Sequence, residues 1–344
     1  MPNRRASDHL GWLALALAIA GVAYADEPQK WLARMNEALT HRNYEGVFSH
    51  VQAGRVETLR IIHRVQGGAV TERLVSLDGS GREFIRSGSE LACYLPDQHT
   101  VVVEQRPAAS LLLGSLPAFD AASADFYEVS TLERTRVLGR NAQLIAVTPK
   151  DEYRYGYRLW IDESTAMPLK TQLCDGQGQV IEQVSFASLN TPAHIPDSAF
   201  KPDLSTEGFR WLRNESSATR SFRAPVMWSA LKLPPGFRLS ARAAQVLPGS
   251  SDPVAHLVFT DGLASVSVFV GSQARPDAQH IISGSTQVGP SSAFFTVIEG
   301  HEVTGVGEVP PQTVRFIVNS VTEQSAPPAL SRGALAPSSL PASH

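Results

Sequence analysis

Three rhythms of apolar and polar residues divide this chain. At the start, an unbroken apolar run from Leu10 to Ala20 follows Arg4 and Arg5 and gives way to Ala23-Tyr24-Ala25 before Asp26. A basic beginning, a short apolar centre and small residues two apart make up a secretory signal peptide. Residues 1–25 are therefore expected to be removed after Ala25. The run is shorter than the roughly 20 residues a permanent helical anchor needs, and no cysteine follows the cut to carry a lipid. A period near 3.6 comes next. Trp31, Met35 and Leu39 fall four apart and predict one helix. Asp26 suits its cap, Pro28 its first turn and Gln29 the capping-box position, and Asn43 suits its end.

From Tyr44 to Leu189 the period shortens to that of strands. Apolar stretches begin near Gly46, Thr58, Ala69, Arg82, Glu90 and Thr100, and again near Glu133, Ala142, Arg154, Pro168 and Gln179. Turn signals such as Gln66-Gly67-Gly68, Asp78-Gly79-Ser80-Gly81 and Asp175-Gly176-Gln177-Gly178 separate them. Turns every 8–12 residues or so indicate an antiparallel meander in a sandwich or barrel. About eleven strands exceed what a flat open sheet accommodates, so the sheet is expected to curl. Between the two sets lies Ser110 to Phe119, too apolar for a solvated loop. Its leucines Leu111, Leu112, Leu113 and Leu116, with Phe119, either cover the concave face as a lipid-accepting lid or plug the core.

A proline-punctuated stretch (Pro192, Pro196, Pro202) and a polar segment lead to a second domain. There Val254–Thr260 and Leu263–Val270 flank Asp261-Gly262, a pair that two-residue hairpins favour. Ala264, Val266, Val268 and Val270 make one apolar face. Strands near Ala293–Ile298 and Glu302–Val306 precede a helix from Pro310-Pro311, with Val314, Ile317, Val318 and Val321 as its stripe. The division is thus signal peptide 1–25, large domain 26–205, linker 206–223, small α+β domain 224–322 and tail 323–344, whose Pro/Ser/Ala-rich composition supplies no core. The fold class is mainly β, or α+β.

Composition narrows the function. With 344 residues and 43% hydrophobic content the chain can build two ordinary cores. The net charge is -3, or -4 once Arg4, Arg5 and Asp8 leave with the signal, and no basic stripe offers a footprint for nucleic acid. Cys93 and Cys174 either pair in an oxidising compartment or remain two separate buried thiols.

Chemistry is thin. Nucleophile-elbow, phosphate-loop and zinc-helix motifs are absent from the sequence. Gly79-Ser80-Gly81 and Gly176-Gln177-Gly178 read as hairpin turns. His41, His50, His63 and His99 are expected to be exposed or half-buried, and Asp151-Glu152 and Asp162-Glu163 to be solvated charges in connections. No catalytic residue, metal site or cofactor is assigned. Two binding features remain. One is the apolar stretch; the other is the hairpin, whose Leu263, Ser265, Ser267 and Phe269 either accept a partner peptide along a strand edge or belong to an interior strand.

Several segments resemble the MucB/RseB family. They include Asn43 to Phe48, Glu72-Arg73-Leu74 with Gly81-Arg82-Glu83, and Cys93-Tyr94-Leu95-Pro96. A longer match runs through Tyr157 to Asp162, Met167-Pro168-Leu169 and Asp175 to Gln183. The second domain contributes Leu233-Pro234-Pro235-Gly236-Phe237, Asp261 to Phe269 and Gly305 to Thr313. This resemblance implies a curved half-barrel like that of lipoprotein carriers, joined to a smaller partner-binding domain. It further implies a periplasmic negative regulator of an envelope-stress sigma factor. Such a protein binds the periplasmic region of a transmembrane anti-sigma factor of the MucA/RseA type and shields it from site-one proteolysis. Lipopolysaccharide or another lipid is implied to release the complex. A periplasmic lipid or lipoprotein carrier is the alternative, an envelope hydrolase a third reading, and a homo-oligomer is left open.

Overall fold

The computed structural model describes residues 28–79, 81–105, 125–214, 227–246, 253–273 and 283–324. The signal segment, most of the tail and the stretch carrying Leu111, Leu112, Leu113, Leu116 and Phe119 lie outside the described residues. Helix α1 (Pro28–His41) opens the structure. Eleven strands follow: β1 (Tyr44–Gln52), β2 (Arg55–Gln66), β3 (Ala69–Ser76), β4 (Glu83–Ser87), β5 (Glu90–Leu95), β6 (Thr100–Gln105), β7 (Tyr127–Val137), β8 (Arg140–Pro149), β9 (Gly156–Asp162), β10 (Pro168–Cys174) and β11 (Val180–Asn190). Turn spacing places most of their starts within three residues. The exception is β7, which begins six residues before Glu133 because Tyr127 and Val129 are already in the ladder.

One antiparallel sheet holds all eleven, in the order β6-β5-β4-β3-β2-β1-β11-β10-β9-β8-β7. The expected curl follows from who touches α1. Trp31, Leu32, Met35, Ala38 and Leu39 share one core with Leu59 and Ile61 of β2 and with Tyr127 of β7. Those strands are six positions apart, about 29 Å at 4.8 Å per strand. A helix about 10–12 Å across can join them only if the sheet wraps around it. Burying each large side chain of α1 contributes about 2 kcal/mol, so the helix is what the curled half is built upon.

The opposite face is strapped by the chain that leaves β11. Ile195 and Phe200 cover Ile62, while Leu204 and Phe209 pack with Tyr94, Val101 and Val103. Buried Arg73 ties the strap down, pairing with Glu83 at 2.8 Å and Asp203 at 2.7 Å. The strap ends in β12 (Arg210–Asn214), which adds to the sheet parallel to β6. The segment read as linker 206–223 therefore supplies an edge strand, which its polar sequence conceals. Cys93 in β5 and Cys174 in β10 have five strands between them and are not joined to each other.

The small domain contains β13 (Met227–Ala230), β14 (Arg238–Val246), β15 (Pro253–Thr260), β16 (Ser265–Gln273), β17 (Gly284–Val288), β18 (Ser291–Ile298), β19 (His301–Gly307), α2 (Pro311–Asn319) and β20 (Val321–Gln324). Six strands form one sheet, β14-β15-β16-β19-β18-β17, and β13 pairs with β20 beside it. Two expectations need correction. The β15–β16 connection is not a two-residue turn: Thr260 pairs with Ser265, leaving Asp261 to Ala264 in the turn. Val321 belongs to β20 rather than the helix stripe, and Glu323 and Gln324 continue that strand instead of opening the tail. Val314, Ile317 and Val318 of α2 are fully buried. Their ridge lies so close to β19 that a Cβ at Gly305 would run into Val318 and Val314.

Candidate functional site

The six-stranded sheet has one covered face and one open face. Val266, Val268 and Val270 of β16 point into the core beneath α2. Strand alternation sends Ser265, Ser267 and Phe269 to the other side. The register there aligns two rows across the sheet. One runs Ala243, His256, Phe269, Thr304, Phe295 and Gly284; the other runs Ala241, Val258, Ser267, Val306, Ala293 and Thr286. Neither row contains Asp, Glu, Lys or Arg. Phe295 lies across Gly284 and keeps 43% of its surface exposed, and Val306 keeps 39%. The His256 ring stacks on Phe269 at 4.4 Å. Burial lowers the His256 pKa, so the ring is neutral at pH 7. Exposed Glu302 follows on the same side of β19, so the uncharged patch consists of these two rows, a mix of apolar and small polar side chains suited to a partner surface.

At the foot of this face a cavity of about 420 Å³ opens against the large domain. Leu263, Ser265, Ser267, Val306 and Glu308 line it with Tyr157 of β9. Burial and the nearby Glu182 charge hold the Glu308 carboxyl above its usual range. Glu182 in turn bonds His50 at 2.6 Å, which raises the imidazole pKa.

The two domains meet at a buried joint beside this cavity. The connection between β8 and β9 supplies Arg154, whose side chain is 0% exposed and pairs at 3.0 Å with Asp261, equally buried. Arg154 also bonds Asp151 at 3.0 Å and the Pro235 carbonyl at 2.5 Å, amid the rings of Phe126, Tyr127 and Phe237. Tyr127 donates its hydroxyl to Asp261. Gly236 has φ +81°, and a Cβ there would enter the Phe126 ring, so glycine is required at this approach. Further on, the Thr313 hydroxyl bonds the Tyr153 carbonyl at 2.8 Å and Gln312 bonds that of Glu152.

The concave face of the large sheet offers a second surface. Across β2 to β6 the register places Ile61, Leu74, Phe84, Cys93 and Val102 in one row. The last four are half-buried. A buried polar group closes the neighbouring row. His63 bonds Glu72 at 2.9 Å and stacks on Tyr44 at 4.5 Å, with Arg86 at 3.6 Å from Glu72. Over β7–β11 the hollow is filled by α1, and among the described residues the half-buried side chains of β4–β6 in this row lie beyond that core.

The expected site residues are therefore scattered differently from the sequence reading. Ser265, Ser267 and Phe269 do share a face. Leu263 instead turns into the joint and packs against the large-domain core. Strand addition along β16 is excluded, since β15 and β19 pair with both of its edges. His63 is buried rather than exposed. Asp162, expected to be solvated, is 2% exposed and bonded by Thr165, Ser164 and Arg140. Arg154, Asp261 and Phe295 were missed. The glycine-rich Asp261-Gly262 signal marked the right turn, but nothing in its spacing reveals an ion pair. Among the described residues no group of His, Cys, Asp and Glu is arranged to hold a metal ion.

Comparison with known proteins places these surfaces in context. The family model for the MucB/RseB N-terminal domain matches residues 27–204, and that for the MucB/RseB C-terminal domain matches residues 223–322. The sigma factor AlgU regulatory protein MucB of Pseudomonas aeruginosa is 32% identical over 91% of this chain and 96% of its own length. The sigma-E factor regulatory protein RseB of Escherichia coli K12 is 26% identical over 90% of this chain and 97% of its own. A crystal structure of MucB in complex with periplasmic MucA covers 87% of this chain and 100% of the MucB chain, at 30% identity and TM-score 0.67. MucB alone covers 86% of this chain and 97% of its own at 30% identity, with TM-score 0.56.

Proposed function

The chain belongs to the MucB/RseB family, and from that premise we propose that it is a periplasmic regulatory protein that binds the periplasmic region of a MucA/RseA-type anti-sigma factor. The observation that carries this reading is the likeness, along nearly the whole described chain, to MucB held in complex with MucA. It is a binding protein and not an enzyme. In our reading, the anti-sigma segment docks on the open face around Ser267, Phe269, Phe295 and Val306, with the cavity beside Ser265 as its foot. Docking hides that segment from the site-one protease and so restrains the sigma factor.

We place lipid sensing on the half-buried row Leu74, Phe84, Cys93 and Val102. The apolar stretch Leu111, Leu112, Leu113, Leu116 and Phe119 is proposed to contact the same lipid. Pockets for such ligands are mostly apolar with a few polar groups to orient them, and His63, Glu72 and Arg86 are suitably adjacent. A lipid carrier would need only this large domain, whereas the uncharged face of the second domain supports a regulator.

The test is capture of the periplasmic anti-sigma fragment by the mature chain, with and without lipopolysaccharide. Retention that falls as lipid is added is the expected result. Lipid uptake with no retention of the fragment would favour the carrier, and failure to retain it without lipid would refute the regulatory reading.

A further inference from the structure

The Asp261 carboxylate does two jobs with its two oxygens. Oδ1 accepts the backbone N–H groups of Leu263 at 2.8 Å and Ala264 at 2.7 Å, fixing the turn that lines the cavity at the foot of the open face. Oδ2 faces the large domain, where Arg154 lies at 3.0 Å and the Tyr127 hydroxyl donates at 3.0 Å. One rigid group therefore touches both the docking turn and the other domain. A buried carboxylate left without its cation is strongly disfavoured. If Arg154 withdraws, Asp261 must rotate toward water or take up a proton. Either response loosens its hold on Leu263 and Ala264.

We propose that Arg154 is a positioning residue for partner docking. From the large domain it holds the Asp261 turn, and with it the foot of the docking face, in the form that binds. This rests on the docking reading above and adds a wire between the domains. Two further features agree with it. The cation is held by Asp151 and the Pro235 carbonyl amid three aromatic rings, so moving it away from Asp261 would disturb several contacts at once. Leu263, on the same turn, packs against the large-domain core.

The experiment compares the full mature chain with Arg154→Met, Asp261→Asn, the double variant and Thr313→Ala. Affinity for the periplasmic fragment of a MucA-type anti-sigma factor is measured by calorimetry. Amide exchange at Leu263 and Ala264 is followed by NMR. Arg154→Met is expected to weaken binding about tenfold and to speed exchange at those two amides while Val268 stays protected. The double variant should be no worse than either single one, because both break one contact. Thr313→Ala removes a different joint contact and should leave affinity unchanged. Equal losses in Thr313→Ala and Arg154→Met would reduce Arg154 to a general fastener and overturn the proposal. Unchanged exchange at Leu263 and Ala264 would overturn it too. Should Arg154→Met not fold, Tyr127→Phe removes the other bond to Oδ2 and is expected to show the same pattern, smaller. If the wild type fails to bind the fragment, docking itself is refuted, and the exchange measurement alone decides the relay.

Discussion

Phe295→Ala gives the sharpest test of the docking face. An aromatic side chain carries roughly 200 Å² of surface. With 43% of the residue exposed, about 85 Å² is left for a partner to cover. At about 25 cal/mol per Å² that contact is worth about 2 kcal/mol, or about thirtyfold in affinity. The free protein should be weakened but remain folded. The ring rests across Gly284 on the open side of the sheet and is not among the residues of the small-domain core. Its loss also gives up the roughly 115 Å² that the ring already covers, so a cost of up to about 3 kcal/mol of stability is expected. Isothermal titration with the periplasmic anti-sigma fragment reads the affinity, and thermal unfolding followed by circular dichroism controls for the fold. A change below threefold, in protein that circular dichroism shows to be folded at the assay temperature, would show that the partner docks elsewhere. Ser267→Arg sharpens the contrast by placing a charge in the middle of an uncharged face, and it should abolish capture without unfolding the sheet.

Four further outcomes follow from particular contacts. Gly305→Ala drives a methyl group into Val318 and Val314, and overpacking of this kind costs about 1–3 kcal/mol; an unchanged urea midpoint would mean that α2 yields freely. Asp162 is raised by burial but lowered further by bonds from Thr165, Ser164 and Arg140, and the net pKa is depressed. Its contribution is present above the unfolded value near 3.9 and lost as pH falls through the lower folded one. The deficit of Asp162→Asn seen at pH 7 should therefore vanish in acid, and a deficit that persists at pH 2 would refute this. His50 behaves oppositely. Its hydrogen bond to Glu182 raises its pKa, so its stabilisation is complete below about 6.5 and fades as pH climbs through the folded value. An NMR titration should find a midpoint above 6.5 that drops in Glu182→Gln; equal midpoints would remove Glu182 as the cause. Finally, Phe84→Asp should leave fragment capture intact while making it insensitive to lipopolysaccharide, and continued release by lipid would move the lipid site off this row.

The order of elements was readable because local chemistry dictates it. Period-2 runs between glycine turns located the eleven strands of the large sheet, and Trp31, Met35 and Leu39 located the helix they wrap. What escaped was set by distant partners. The segment 206–223 reads as linker because Arg210, Arg213 and Asn214 are polar, yet its backbone pairs with β6, and an edge strand needs only one partner. Asp261 announced a turn through its glycine neighbour, but Arg154 is 107 positions earlier, where the sequence read only as the start of a strand after the charged pair Asp151-Glu152. Ser265, Ser267 and Phe269 were legible as one face by alternation. Phe295 was not singled out, since only the register of β16, β19 and β18 brings it alongside Phe269.

The lipid switch proposed above is energetically modest, and the architecture offers a place for it. A ligand releases a partner only through a difference in its affinity for the two forms. A tenfold shift needs about 1.4 kcal/mol, which two additional buried methylenes provide at about 0.8 kcal/mol each. The difficulty is distance, because the concave row lies on β3–β6 and the docking face lies in the other domain. Packed interiors are bistable rather than continuously deformable, so a shift in the large domain reaches the small one only through a contact that either holds or breaks. The Arg154–Asp261 pair has that character. Both groups are fully buried, and separating them leaves the Asp261 carboxylate without its cation while Arg154 keeps Asp151. A lipid that moves the β8–β9 connection or its neighbour Tyr127 by little more than a hydrogen-bond length would therefore be felt at the Leu263–Ala264 turn as an all-or-none change.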